Sequence, residues 1–391
     1  MFRPSSTAHT GESREKSGRV GARLEWLDGM KGIAILWIAF FHFFIAYGEG
    51  RTPWLLSPGY FASYEKICAP HSPGSQALCL VSAILTTVAQ LGFHGVGVFL
   101  VLSGFGLSYS LARTGRPADG WPGWYRDRVV RLFPMYWIAH IVYLVSPFQA
   151  RLDPVDHRFI LSVLGDRVVP IGAMFYYFNP ALWYFGLLLQ LYLVCPVLFV
   201  AVERFGVIRF LVVVAAVTFG ARWALVLAMP VSPEWVQGGF FACRLWEFGV
   251  GMAAGVLWRR RPAEIGAAVF SRRGLLVGAG LYALGLGSYR ALWSYIFTDA
   301  LVGTGLAVLL AHVARRLHRV RWLGPATIAA GAASYGLYLV HQPYVLYFGA
   351  RMRALEAAAF VPAAIGIIAV LALGAMTLER AVNGLTSRIL R

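Results

Sequence analysis

The residue in this sequence best suited to chemistry is an imidazole inside an apolar helix. The stretch LDGMKGIAILWIAFFHFFIAYGEG, residues 27–50, starts with a basic residue, turns apolar, and carries His42 well inside the apolar run. An ionisable side chain within a membrane-spanning helix is costly and points to function by default. Imidazole titrates near neutral pH, so in its neutral form it can take a proton from a hydroxyl. Lys31 stands eleven residues earlier, close to three turns at about 3.6 residues per turn. The two side chains therefore share one helix face. The ammonium lies at the mouth and the imidazole roughly 16 Å further in. A ligand that is anionic at one end and reactive at the other suits such a face. The plainer alternatives are a hydrogen-bonding histidine in a helix bundle and a snorkelling lysine anchor.

Other ionisable or polar residues fall inside apolar runs: Arg222, Arg244, Glu247, Asp299 and His341. His341 has three open roles: orienting His42, binding an acceptor, or bonding within the bundle. Arg244 and Glu247, spaced i, i+3, can satisfy each other. Arg128 and Arg131 are three apart at the start of a helix, where they can hold phosphates or simply anchor the chain. Ser103 can donate a hydrogen bond or simply pack between helices. Gly95, Gly97, Gly104 and Gly106 can allow close helix contact.

The elements that must position these residues are membrane helices. Of 391 residues, 58% are hydrophobic and 14% charged, against about 25% charged in an ordinary soluble domain. The net charge of +17 comes from arginine clusters between apolar runs, a membrane-protein pattern that argues against nucleic acid. At about 20 residues per span, ten candidates emerge: 30–48, 91–112, 128–147, 181–202, 207–229, 238–258, 274–290, 295–314, 326–349 and 358–379. The segment ALCLVSAILTTVAQ before the second span reads as interfacial or re-entrant, and 159–178 is ambiguous because Asp166 and Arg167 interrupt it. Arginines concentrate in alternate loops, such as 113–131, 259–261 and 315–321, which puts both termini in the cytoplasm. The expected fold is an all-α polytopic bundle. Residues 1–23 form a polar, disordered cytoplasmic tail and residues 24–391 one transmembrane domain. Cys68 and Cys79 flank an outward loop where a disulfide is possible. With no CxxC among four cysteines, no metal is expected.

Taken together, five segments resemble the acyltransferase-3 family of integral-membrane O-acyltransferases. LDGMKGIAILWIAFFHFF is similar to its opening helix through Asp28, Gly29, Lys31, Gly32 and His42. GVGVFLVLSGFGLS matches a second motif with Ser103, Gly104 and Phe105, and YRDRVVRLFPMYW a third with Arg128, Arg131, Pro134 and Tyr136. LWYFGLLLQLYLVCP resembles a fourth, and SYGLYLVHQPYV a fifth with Ser334, Tyr335, Tyr338 and His341. There are two departures. Lys31 replaces the usual arginine and lacks its bidentate fork. Leu188 and Leu189 stand where glutamates are frequent, so any carboxylate role there is open.

The resemblance implies a multi-pass enzyme of a bacterial inner membrane. It would move an acyl group, acetyl foremost, from cytoplasmic acyl-CoA to a hydroxyl of a cell-surface or lipid-linked saccharide, with no permanently bound cofactor. His42, Ser103 and His341 would be the catalytic residues. Lys31, Arg128 and Arg131 would hold the donor phosphates. Arg222, Arg244, Glu247, Tyr335 and Tyr338 would line the acceptor side. Besides the donor and the glycan, membrane lipids are the expected partners. A flippase for a lipid-linked sugar, a non-enzymatic membrane scaffold and an acyltransferase for a small-molecule acceptor are the competing readings.

Overall fold

The computed structural model describes residues 24–49, 52, 54–56, 63, 73–115, 117, 119–148, 153–229 and 231–389. The expected tail, 1–23, and Cys68 lie outside the described residues. Cys79 is disulfide-bonded. Among the described residues there is no β-strand.

The long helices are α1 (Glu25–Gly48), α2 (Pro73–Gln90), α3 (Gly95–Thr114) and α4 (Gly120–Val145). Two short ones follow, α5 (His157–Val163) and α6 (Ile171–Met174), then α7 (Trp183–Phe205) and α8 (Val207–Trp223). The remainder are α9 (Leu245–Arg260), α10 (Pro262–Val269), α11 (Arg272–Gly287), α12 (Leu292–Leu317), α13 (Leu323–Ala332), α14 (Ser334–Arg351) and α15 (Ala357–Ile389).

Among the described residues, seven helical stretches are long and apolar enough to cross a membrane, or eight if α13 and α14 count as one bent span, so the expected ten are not reached. The expected spans 238–258 and 274–290 correspond to α9, which continues a 3₁₀ turn over Phe241–Arg244, and α11, which runs on into one over Ser288–Arg290; neither is both long and apolar enough to count. ALCLVSAILTTVAQ is not a separate re-entrant piece. It continues through a 3₁₀ turn at Leu91–His94 into α3, giving one stretch over Cys79–Thr114. The ambiguous 159–178 segment holds α5 and α6. Large apolar side chains such as Ile208, Val197, Val145 and Leu276 are exposed on the outside of the bundle, as lipid contact requires.

Glycines set the two closest helix crossings. A Cβ on Gly104 would overlap the Phe248 carbonyl of α9, and one on Gly251 would overlap the Val101 carbonyl of α3. At the start of α1, a Cβ on Gly32 would overlap the Thr327 carbonyl, and one on Gly331 the Asp28 carbonyl. Small residues allow backbones to approach this closely, which is how helices pack where water offers no hydrophobic drive. The first crossing seats α9 in the interior, where Phe248, Met252 and Val256 are fully buried.

The second crossing fixes α13 on α1, and the chain then bends by 86° into α14. Pro343 within α14 has no N–H, so the Leu339 carbonyl four residues back loses its helical donor. Asn179 supplies the substitute: its Nδ2 donates to the Leu339 carbonyl at 2.8 Å. The same side chain caps the turn into α7 by accepting from the Ala181 N–H at 3.0 Å. Asn179 thus ties the middle of α14 to the start of α7.

Adding a methyl at Gly104 or Gly331 should destabilise the protein by about 1–3 kcal/mol. Gly106→Ala should be near neutral, because nothing lies within 4 Å of a Cβ there; thermal unfolding in detergent checks both. Asn179→Leu, which leaves the Leu339 carbonyl buried and unpaired, should cost about 1–3 kcal/mol in the same assay.

Candidate active site

Four helices meet around one pair of imidazoles. His42 projects from α1 toward α14, and its Nδ1 lies 3.2 Å from Nε2 of His341. His341 is fully buried, with its Nδ1 2.7 Å from the Tyr338 carbonyl and 3.1 Å from that of Leu337. His42 is only half-buried, its ring against Phe41 at 4.8 Å. The Tyr338 ring packs on His341 at 5.6 Å and on Tyr184 of α7 at 5.1 Å. Phe99 of α3 closes on both tyrosines, and Ser103, one turn along, lies near the Tyr184 phenol. His42, His341, Tyr338 and Ser103 are thus brought into one neighbourhood, together with Tyr184, a residue the sequence reading did not single out.

The mouth differs from expectation in one respect. Lys31 and His42 do share a face of α1, but Ile35 and Ile38 between them are fully buried in the core. That face is packed and offers no room along it for a ligand arm. Lys31 Nζ contacts Asp28 at 3.3 Å, with a third of its side chain still exposed. The open stripe belongs to α3, where Ser103 is half-buried, Gly106 faces free space and Ser110 is exposed.

Arg128 sits over the Trp124 ring at 5.3 Å, and its buried Nε has no hydrogen-bond partner. Among the described residues neither Arg128 nor Arg131 has a carboxylate in ion-pair contact. Tyr335 donates to the Leu132 carbonyl at 2.8 Å, which ties α14 to α4 and turns its hydroxyl away from the imidazole pair.

The remaining ionisable residues form a separate cluster. Asp299 of α12 accepts from Arg222 Nη1 at 2.5 Å and lies 3.4 Å from Arg244 Nη1. Arg244 Nε donates to Glu247 at 2.8 Å, and Arg222 Nη2 to the Tyr295 carbonyl at 2.8 Å. Two arginines thus meet two acids among α8, α9 and α12, with Arg222, Arg244 and Glu247 all buried. A buried charge is tolerable only when paired in this way. The cluster touches the first site through Arg244, which lies within electrostatic reach of Tyr184 and Tyr338.

Arg167, which interrupts the ambiguous 159–178 segment, is buried. Its guanidinium donates to the Tyr136 hydroxyl, the Ser162 hydroxyl and the Tyr177 carbonyl, and lies 3.4 Å from His140 Nε2. His94, likewise unsought, bridges the hydroxyls of Tyr282 and Tyr289 at 3.0 and 3.1 Å. The available signal for Arg167 was its position in an aromatic-rich segment ending MFYYFNP, where phenols and free carbonyls can solvate a guanidinium.

No curated protein and no solved structure matches the chain. A family model described as an acyltransferase domain, that of the acyltransferase-3 family, matches residues 24–379. That range holds all the helices around the histidine pair and nearly all of the chain. This multi-pass membrane protein belongs to the acyltransferase-3 family.

Proposed function

We propose that the protein transfers an acyl group, acetyl in the first instance, from acyl-CoA to a hydroxyl of a cell-surface or lipid-linked saccharide, with His42 as general base. The observation that carries this reading is the contact between a half-open His42 and a fully buried His341 at 3.2 Å, inside apolar helices. An alcohol is a poor nucleophile at neutral pH, and a neutral imidazole is a suitable base for it. The hydroxyl attacks the thioester carbonyl as its proton passes to His42. The C–S bond then breaks, and the proton leaves with the thiol of coenzyme A.

In this reading the donor enters where α1 and α4 begin, which would be the cytoplasmic side of a bacterial inner membrane. Its phosphates rest on Arg128, Arg131 and Lys31. The unpaired Nε of Arg128 supports that assignment, because a buried donor without a partner calls for an acceptor. The pantetheine arm follows the open stripe of α3 past Ser110 and Gly106 to Ser103, since the α1 face is packed. Ser103, near the Tyr184 phenol, serves as a hydrogen-bond donor near the acyl oxygen. The acceptor approaches from the opposite side of the pair. The Arg222–Asp299–Arg244–Glu247 cluster is internally neutralised, and that favours a wall of the acceptor chamber over a transport path.

His42→Ala should lower acyl transfer at least about 100-fold, the scale of general-base catalysis, while the protein still inserts and unfolds normally. Full activity in the purified variant would remove His42 from the chemistry. Arg128→Ala and Arg131→Ala should each raise the KM for acetyl-CoA roughly tenfold, the scale of a lost charge-assisted hydrogen bond, with the acceptor KM little changed. Unaltered donor KM in both would leave them as topology anchors. Mass spectrometry of surface glycans from cells with and without the protein should show acyl esters lost in its absence.

A further inference from the structure

The histidine pair also determines which atom of His42 does the work. The Nδ1 of His341 faces two backbone carbonyls, of Tyr338 at 2.7 Å and of Leu337 at 3.1 Å. A carbonyl only accepts, so this nitrogen carries the proton. His341 is fully buried, and among the described residues no carboxylate touches it. A second proton would place an unpaired cation in the protein interior, which is strongly disfavoured. Its Nε2 is therefore a lone pair, and that lone pair faces His42 Nδ1 at 3.2 Å. Two lone pairs cannot share a hydrogen bond.

We infer that His341 holds His42 in the tautomer protonated at Nδ1, so that His42 Nε2 is the free lone pair that takes the acceptor's proton. No hydrogen bond to His42 Nε2 is present among the described residues, and the half-buried ring leaves it room for substrate.

His341 is accordingly a positioning residue. It fixes ring orientation and tautomer, as the carbonyl or carboxylate partner of a catalytic histidine does. When His42 Nε2 gains the hydroxyl proton, the resulting imidazolium keeps its Nδ1–H on the His341 lone pair until the proton passes to the departing sulfur. In a serine protease triad the wrong tautomer alone lowers kcat by about 10⁴.

This inference rests on the base role of His42 for its catalytic meaning, but its test does not. The protein is labelled with [15N]histidine, and His42 is assigned by comparison with His42→Gln. The wild type should show His42 with a protonated Nδ1 and an unprotonated Nε2 near neutral pH. A protonated Nε2, alone or together with Nδ1, would overturn the inference, whether or not His42→Ala is inactive. His341→Gln, whose Oε1 can accept in place of Nε2, should keep that pattern and retain transfer from acetyl-CoA within about tenfold. His341→Leu should release His42 toward the Nε2-protonated form and lower kcat about 100-fold or more, with the KM for acetyl-CoA unchanged. If His341→Leu does not fold, the wild-type spectrum still decides. If the wild-type pattern is as inferred but His42→Ala stays active, the tautomer stands and only the base role falls.

Discussion

One hydrogen bond, between His42 and His341, joins two helices that are 299 residues apart in the chain. Holding two imidazoles at that distance in an apolar bundle requires both helix axes to be fixed, and the surrounding structure reads as the means of doing so. The Gly32–Gly331 contact pins α13 to the start of α1. The 86° bend then sends α14 along the deeper half of α1. Pro343 frees the Leu339 carbonyl two residues before His341 in the chain, and Asn179 takes it up. In this way α7, which carries Tyr184, is locked to the same segment.

The site is divided by polarity. The ion cluster at Arg222, Arg244, Glu247 and Asp299 pairs two cations with two acids, leaving Arg222 Nε and Glu247 Oε2 buried without a hydrogen bond. The imidazole pair has aromatic neighbours and no direct ion pair. Neutral surroundings suit a base that must be unprotonated at the start of each cycle. Charge is found instead at the mouth, on Arg128 and Arg131, where a phosphate-bearing ligand would end; the buried Arg128 Nε has no hydrogen bond there, and Arg131 lies in electrostatic reach of Glu379.

Much of this was legible in the sequence. His42 and His341 could be found because an imidazole in an apolar run is costly, and the motif segments marked the helices that carry them. The meeting of the two was only one of three roles open to His341, because it depends on the α13–α14 bend. The Lys31–His42 face was correct as helix geometry but failed as a ligand path. Periodicity tells which residues share a face and says nothing about what packs on it, here the buried Ile35 and Ile38. The span count exceeds the structure at 238–258 and 274–290, where α9 and α11 are not both long and apolar enough to count. The burial of Arg167 could not be read, because charge counting treats every arginine as solvated, whereas here hydroxyls and a carbonyl do that work.

The most direct test of the central claim is a structure of the protein with a non-transferable thioether analogue of acetyl-CoA. The account predicts the acyl end within hydrogen-bonding reach of a hydroxyl poised on His42 Nε2, with the nucleotide at Arg128 and Arg131. An acyl end bound away from His42, or a His42 sealed by side chains in the complex, would contradict it.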